Sequence, residues 1–435
     1  MIAYYWPPSG GAGVQRWLKF VKYLRQFGWE PVVYTAENAE YPILDKSLST
    51  DIPAGITVLK QPIWEPYSAY KRLIGQKKEE RVVSGFLQEK GRKTFAQSLS
   101  LWIRGNIFIP DARRFWISPS VRYLKSWLKT NPVDVLVSTG PPHSMHLIAR
   151  ALHKSTGIPW LADFRDPWTN IDFAADLKMS GFAARRNASL EKAVLDEADL
   201  VTVVSAFMRE EFEAKTQTPV HVITNGYDPD DFKTQAQPNR QHFELVHTGS
   251  LNDRRNQPHL WQAIVALRAS DSAFAKDFRL HLVGKNDVSI RNSIEALGLM
   301  ECTIWTDYLP HKEINRVQQE AGALLLSINN YGSAEQGFFS PKATLTGKLF
   351  EYLAASRPIL MIGPTDSQAA TVVREGGAGM VCGFEDVEAM KEALLELYGR
   401  WKNNEPAEIS TAAKQFSRVT LTENMAKLLN KIAQQ

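Results

Sequence analysis

Cysteine is nearly missing from this chain: Cys302 and Cys382 are the only two in 435 residues. That excludes a disulfide framework and a cysteine-based metal cluster, and it predicts a reducing compartment. No apolar run approaches the roughly 20 residues that span a bilayer, so no transmembrane helix is expected. The amino terminus has no basic stretch followed by an apolar core, which predicts no secretory leader and a cytoplasmic protein. Short internal repeats and low-complexity tracts are also missing, which argues against solenoids and compositionally disordered chains. Formal net charge is only +4. No nucleic-acid motif accompanies it, so nucleic acid is not an expected partner.

What is present is an ordinary globular composition, 44% hydrophobic and 23% charged, over a length that exceeds the usual limit of one core. Short apolar runs alternate with amphipathic patterns. Ile2–Tyr5, Pro31–Thr35, Val133–Ser138, Ile158–Leu161, Leu200–Val204 and Val220–Ile223 read as one series of strands. Phe243–His247, Leu280–Val283, Thr303–Trp305, Ala323–Ser327, Pro358–Ile362 and Gly379–Cys382 read as a second. Such alternation predicts parallel sheets covered by helices on both faces, hence an α/β chain of two Rossmann-like doubly wound domains. The polar stretch Asp228–Gln241, with Pro229 and Pro238, reads as the linker between them. The expected domains are residues 1–227 and 242–410. A closing segment, 411–435, carries a helical pattern over Leu421–Ile432 with Leu421, Met425, Leu428 and Leu429 on one face.

The most informative segment is Ser340–Pro358, SPKATLTGKLFEYLAASRP. A polar loop leads into a helix that opens near Thr346, with Leu349, Tyr352 and Leu353 as its apolar stripe. Lys348 and Glu351 lie three apart and share a face. Unpaired N–H groups at a helix start suit phosphate, and a lysine there adds charge. A carboxylate one turn further in can accept two hydroxyl hydrogen bonds, as from the cis-diol of a ribose. Thr346, Gly347, Lys348 and Glu351 are therefore candidate nucleotide contacts, with an ordinary surface Lys/Glu pair as the alternative.

Three further groups sit where strands are expected to end. Gly10, Gly11 and Gly13 follow the first strand and open a helix, as in a dinucleotide fingerprint, but Arg16 stands where the third glycine belongs. Gly11 and Gly13 let backbone approach a ligand closely; on the alternative reading they make a tight turn, with Arg16 a surface charge. His143 and His146, in PPHSMH, can bond a sugar hydroxyl or move a proton near neutral pH, or can be ordinary loop or buried histidines. Asp163, Arg165 and Asp166 either bind an acceptor or pair with one another to brace their loop. In the second series Gly249 follows a strand, and Arg254 or Arg255 can reach a diphosphate bidentately. From Lys60 to Lys129, 15 basic residues face 5 acidic ones, interleaved with Trp102, Phe115, Trp116 and Trp127. This pattern predicts either an interfacial contact with an anionic membrane or an excursion packed on its own domain.

Together the segments YYWPPSGGAGVQRWLKFVKYLRQFGWEPVVYT, VSTGPPHSMHLIARAL, WLADFRDPW, ITNGYD, LVHTGSL and TGKLFEYLAASRPIL resemble the retaining glycosyltransferases of family 4, the group 1 glycosyl transferases. The resemblance runs nearly end to end. It implies the GT-B fold, two Rossmann-like domains facing across a cleft, with the closing segment returning to the first domain. It implies a nucleotide-sugar donor, a saccharide or lipid-linked acceptor, retention at the anomeric carbon, and no required metal or cofactor. It puts the glycine loop beside both substrates and a histidine, His146 by alignment or else His143, close to the donor sugar. It makes Lys348 and Glu351 donor ligands. The family's paired glutamates are broken here, because Ala343 stands eight residues before Glu351. An epimerase of the same fold and a non-catalytic sugar-nucleotide-binding subunit are the competing functions.

Overall fold

A computed structural model describes residues 1–65, 95–171, 177–233, 236–330, 342, 345–405 and 411–434. The chain divides into two compact units: Met1–Thr224 with Leu421–Gln435, and Asn225–Thr420.

Unit 1 is built on parallel strands β1 (Val32–Ala36), β2 (Thr57–Gln61), β3 (Leu136–Gly140), β4 (Trp160–Phe164), β5 (Leu200–Val203) and β6 (Val220–Val222). β1 pairs with β2, and β3 to β6 pair in sequence order. The first strand expected over Ile2–Tyr5 contracts to a bridge. Ile2 pairs in parallel with Tyr34 on one side and Ser138 on the other. Its N–H donates to the Val137 carbonyl at 2.7 Å, and the Tyr34 N–H donates to the Met1 carbonyl at 2.8 Å. The spatial order is therefore β2, β1, Ile2, β3, β4, β5, β6. Strands are added in opposite directions on the two sides of Ile2, so this is a topological switch point. Half-exposed β2 carries no alternation that would mark it in the sequence.

The unit 1 helices are α1 (Ala12–Leu24), α2 (Phe95–Asn106), α3 (Arg114–Leu128), α4 (Ser144–Thr156), α5 (Gly181–Glu197) and α6 (Ala206–Glu213). α1 buries Val14, Trp17, Leu18, Phe20, Val21 and Leu24, the stripe expected of an amphipathic helix. Of the basic, aromatic stretch, residues 66–94 lie outside the described residues. The rest divides between core and surface. Trp116 is buried and stacks on Tyr34 at 5.0 Å, whereas Trp64, Trp102, Ile107 and Phe115 are exposed.

Unit 2 carries β7 (Phe243–Thr248), β8 (Phe278–Val283), β9 (Thr303–Thr306), β10 (Ala323–Ser327), β11 (Ile359–Ile362) and β12 (Gly379–Cys382). All pair in parallel, in the order β12-β11-β10-β7-β8-β9. Its helices are α7 (Pro258–Ser270), α8 (Ser272–Asp277), α9 (Val288–Ala296), α10 (His311–Glu320), α11 (Gly347–Ala355), α12 (Gln368–Glu375) and α13 (Val387–Lys402). Two apolar clusters cover the two faces of this sheet, as a parallel sheet requires.

The stretch expected to be a linker is instead part of unit 2. Asp228 caps a 3₁₀ turn over Pro229–Phe232. The Ala236 N–H donates to Gln319 Oε1 at 2.6 Å, and the Asn239 N–H donates to the Glu320 carbonyl at 2.8 Å. Polar composition here satisfies backbone groups rather than conferring freedom.

The last helix, α14 (Arg418–Ala433), ends the chain. Its Leu421, Met425, Ala426, Leu429 and Ile432 are buried against Trp17, Phe20, Leu24, Val137 and Leu161 of unit 1. Trp29 Nε1 donates to Asn430 Oδ1 at 2.9 Å.

Candidate functional site

In unit 2 the strand order reverses between β7 and β10. Ligands of doubly wound sheets bind outside the carboxyl ends of strands at such a point. Three segments reach it: Thr248–Ser250 after β7, residues 328–330 after β10, and the start of α11. Leu349, Phe350, Tyr352 and Leu353 of α11 are buried and dock the helix against the sheet. Ser356, left-handed at φ 58°, caps its end two residues before Pro358. Thr346 is the N-cap in extended conformation, yet its side chain makes no cap hydrogen bond, and its Oγ1 is buried without a partner. The first-turn N–H groups thus lack a side-chain cap.

Lys348 passes directly over Gly249. A Cβ on Gly249 would lie 2.5 Å from Lys348 Cε, and the glycine has φ +95°. Only glycine suits this position, on both counts. Burial and the nearby Arg255 guanidinium lower the Lys348 ammonium to about 7, despite the opposing pull of Glu351. Arg255 is held by Asn329, with Nε donating to Oδ1 at 2.8 Å, and by the Ser250 carbonyl at 3.1 Å. Arg254 lies in the same short turn, where its carbonyl accepts from the Asn330 N–H at 2.7 Å. Of the two arginines, Arg255 is the one that acts electrostatically on Lys348.

Glu351 is half-buried. Burial raises its carboxyl, but His311, Gln318 and Lys348 outweigh that and hold it below the usual carboxylate range. Gln318 Nε2 donates to Glu351 Oε2 at 3.3 Å and to Thr248 Oγ1 at 3.1 Å. The Thr248 N–H donates to the Tyr352 hydroxyl at 3.0 Å. Gly347 has open space where a Cβ would stand. The arrangement is an uncapped helix start, two cations and an ionised carboxylate one turn on. It can hold an anion together with a neighbouring polyol.

The corresponding end of the unit 1 sheet is organised differently. β4 runs to Phe164, past the expected end at Leu161, so Asp163 lies inside the sheet with no exposed surface. Its carboxylate accepts from Arg16 Nη2 at 2.8 Å, Trp17 Nε1 at 2.7 Å, Thr139 Oγ1 at 2.9 Å and Thr202 Oγ1 at 2.8 Å. Both oxygens are occupied, so Asp163 braces the sheet and does not touch an acceptor. Arg16 is likewise not a surface charge: it is 1% exposed, and its Nη1 donates to the Thr224 carbonyl at 2.8 Å. The residue in place of a third glycine is the partner of the buried carboxylate.

Arg165 turns the other way. Its guanidinium donates to the Gly13 and Pro141 carbonyls and to the Gly140 carbonyl at 3.3 Å, tying the glycine loop to the loop after β3. Gly11, at φ +81°, is the N-cap of α1. Asp166 is exposed and keeps its carboxylate at the surface.

The two histidines separate. His146 is fully buried, bonds Ser138 Oγ through Nδ1 at 2.8 Å and stacks on Phe164 at 4.3 Å. Burial drives it down to about 3. It lines the core, and its Nε2 is buried without a partner. His143, 7% exposed, stacks on Trp168 at 4.5 Å, and its Nδ1 is buried without a partner. Burial and His146 keep it well below its ordinary value, hence neutral. Of the two, only His143 retains any exposed surface.

Residues 10–226 match the glycosyl transferase 4-like domain, and residues 242–400 match glycosyl transferases group 1. The chain belongs to the group 1 glycosyl transferase family. Its fold is that of solved GT-B enzymes. Sucrose-phosphate synthase from Thermosynechococcus elongatus is 11% identical with a TM-score of 0.62, over 99% of this chain and 97% of that one. HepE of Anabaena, solved with UDP-glucose, is 12% identical with a TM-score of 0.60, over 99% of each chain. WaaG, a glycosyltransferase of lipopolysaccharide biosynthesis, is 14% identical with a TM-score of 0.54, over 98% of each chain. No curated protein matches the chain significantly.

Within this glycosyltransferase, Ala343 lies outside the described residues. Lys342, its neighbour in the sequence, is exposed and pairs with Asp366. Sequence reasoning missed Gln318, Thr248, His311 and the hydroxyl of Tyr352. The available signal was a helix with polar residues at 311, 315, 318 and 319, of which Asn315, Gln318 and Gln319 are buried.

Proposed function

We propose that this glycosyltransferase is a retaining enzyme that binds a nucleotide-sugar donor in unit 2 and passes its sugar to a saccharide or lipid-linked acceptor. Its setting would be the synthesis of a cell-surface polysaccharide or glycoconjugate. The observation that carries the reading is Lys348 crossing Gly249 at the uncapped start of α11, with Glu351 one turn further in. The helix start, Lys348 and Arg255 receive the diphosphate; Glu351 receives the ribose hydroxyls. As the anomeric carbon–phosphate bond breaks, negative charge grows on the leaving diphosphate, and these cations stabilise it. The acceptor oxygen bonds to the anomeric carbon from the same face, and its proton passes to the leaving phosphate oxygen. The charges supplied by side chains make a metal unnecessary in this scheme. In unit 1, neutral His143 can hydrogen-bond a sugar hydroxyl, Arg165 orders the loops around it, and Asp166 is a candidate acceptor contact.

Relatives support this choice of substrates: HepE was solved with UDP-glucose, and WaaG works in lipopolysaccharide synthesis. The test is a thermal-shift series with UDP-, GDP-, dTDP- and ADP-sugars, then transfer with the stabilising donor and NMR of the product's anomeric configuration. Stabilisation by one base and an α product from an α donor are expected. A β product removes retention, and stabilisation without transfer favours a non-catalytic binding subunit.

A specific observation also favours a place at the cytoplasmic face of a membrane. No helix among the described residues is long and apolar enough to cross one. Yet Trp64 and Phe115, in edge contact at 5.0 Å, are 64% and 42% exposed, within the basic stretch. Liposome flotation should show binding that needs anionic lipid and weakens with salt. Equal recovery on neutral vesicles would remove the electrostatic part of this reading.

A further inference from the structure

His311 opens α10, and its ring lies between two carboxylates from different elements. Nε2 is 3.7 Å from Glu351 Oε1 on α11, and Nδ1 is 3.9 Å from Asp231 Oδ2 in the turn Pro229–Phe232. All three side chains are largely buried: His311 is 15%, Asp231 12% and Glu351 26% exposed. We propose that His311 is a positioning residue for nucleotide recognition, held by Asp231 so that it orients the Glu351 carboxylate toward a ribose diol. This rests on the reading of Glu351 given above.

The geometry argues for orientation rather than simple packing. An ionised carboxylate offers about four lone-pair positions. Gln318 takes one on Oε2, and His311 faces the other oxygen. Two positions have no partner among the described residues, the number a vicinal diol needs. Gln318 alone, at 3.3 Å, leaves the carboxylate free to rotate about its last bond, and each rotamer lost on binding then counts against the ligand. His311 sits on the opposite oxygen and removes that freedom beforehand. Asp231 cannot reach the ligand through Glu351 except by way of the imidazole, so its part is to fix the ring. Residues 311 and 318 lie on one face of α10, so a single helix presents both groups that flank the carboxylate.

Calorimetry on the full chain tests this, with UDP, GDP and ADP each paired with its 2′-deoxy form, using the pair that binds. Glu351→Gln should weaken the ribonucleotide about tenfold or more and the deoxynucleotide less. His311→Gln should weaken the ribonucleotide roughly three- to tenfold, leave the deoxynucleotide unchanged, and add nothing in the Glu351→Gln background. Asp231→Asn, which leaves α10 intact, should give a smaller change of the same kind and serves if the His311 variant does not fold. Equal weakening of both nucleotides by His311→Gln, or an undiminished effect in the Glu351→Gln background, overturns the inference while leaving Glu351 in place. If Glu351→Gln itself fails to discriminate the two nucleotides, or none of the three pairs binds, the ribose reading falls and this inference with it.

Discussion

Both units gather charged side chains near the carboxyl ends of their parallel strands, and the two clusters are built in opposite ways. In unit 1 the charges cancel one another. Arg16 and Asp163 are 1% and 0% exposed, and four separate side chains donate to the carboxylate. Arg165 is tied to three carbonyls. In unit 2 two cations, Lys348 and Arg255, stand close together at the start of α11. Burial first, and then the neighbouring Arg255 guanidinium, lower the lysine. Fully paired, buried charge braces the interior of a sheet, whereas like-signed neighbours at a helix start suit an anion, which in the proposed function is the diphosphate.

The largest effects should come from the structural side of this contrast. Deleting the residues after Val419 removes Leu421, Met425, Leu429 and Ile432 from the unit 1 core. Each fully buried side chain of this kind contributes about 1.5–3 kcal/mol, so the four together set an upper range of roughly 6–12 kcal/mol. Thermal melting should show a marked loss of stability, with lower transfer activity although no catalytic group is removed. A truncated protein with full stability and rate would show that the helix is dispensable. Next comes Asp163→Ala. Removing one member of a buried ion pair leaves Arg16 uncompensated and should cost about 3–5 kcal/mol, read by denaturant unfolding. An acceptor ligand at this position would instead leave stability intact and raise KM.

These two predictions also mark what could be read from the sequence. Strand–helix alternation located both sheets, and the 3.6-residue pattern located α11, its N-cap at Thr346 and the buried face of the last helix. Side-chain direction was not legible. Whether Asp163 faces a ligand or the core depends on where β4 ends, and β4 runs three residues beyond its apolar run because Thr139, Thr202 and Trp17 satisfy the carboxylate. Those partners are distant in sequence. His143 and His146 have the same residue type three positions apart, and only their packing on Trp168 and Phe164 separates them. Gln318 and His311 carry no motif; they matter through Glu351, a contact made only in the folded state.

On the unit 2 side, Glu351→Ala should weaken nucleotide binding by about 1.5–3 kcal/mol, the range for a hydrogen bond to a charged group. It should change the melting temperature without ligand less than Asp163→Ala does, because Glu351 keeps 26% of its side chain exposed whereas Asp163 keeps none. That pairing of outcomes is the reverse of the one expected at Asp163, and it is what separates a site from a brace. Unchanged nucleotide affinity in a folded Glu351→Ala protein would place the ribose elsewhere.

The smallest effect is a slope with pH. The free protein holds the Lys348 ammonium at about 7. A bound diphosphate brings negative charge beside it and must raise that value. Above about pH 7 the diphosphate itself is already ionised, since a phosphate's second ionisation falls near pH 6. In the window from there up to the raised value, binding therefore takes up a proton at Lys348. Affinity should be highest between about pH 6 and 7 and decline above it, by at most about tenfold per pH unit. Calorimetry at pH 8 in two buffers of different ionisation enthalpy reads the uptake directly, and up to one proton is expected. Lys348→Met should bind more weakly at every pH and show no uptake. A flat affinity between pH 7 and 9 with zero proton uptake would mean that Lys348 does not face the diphosphate, and that the contrast between the two crevices has another origin.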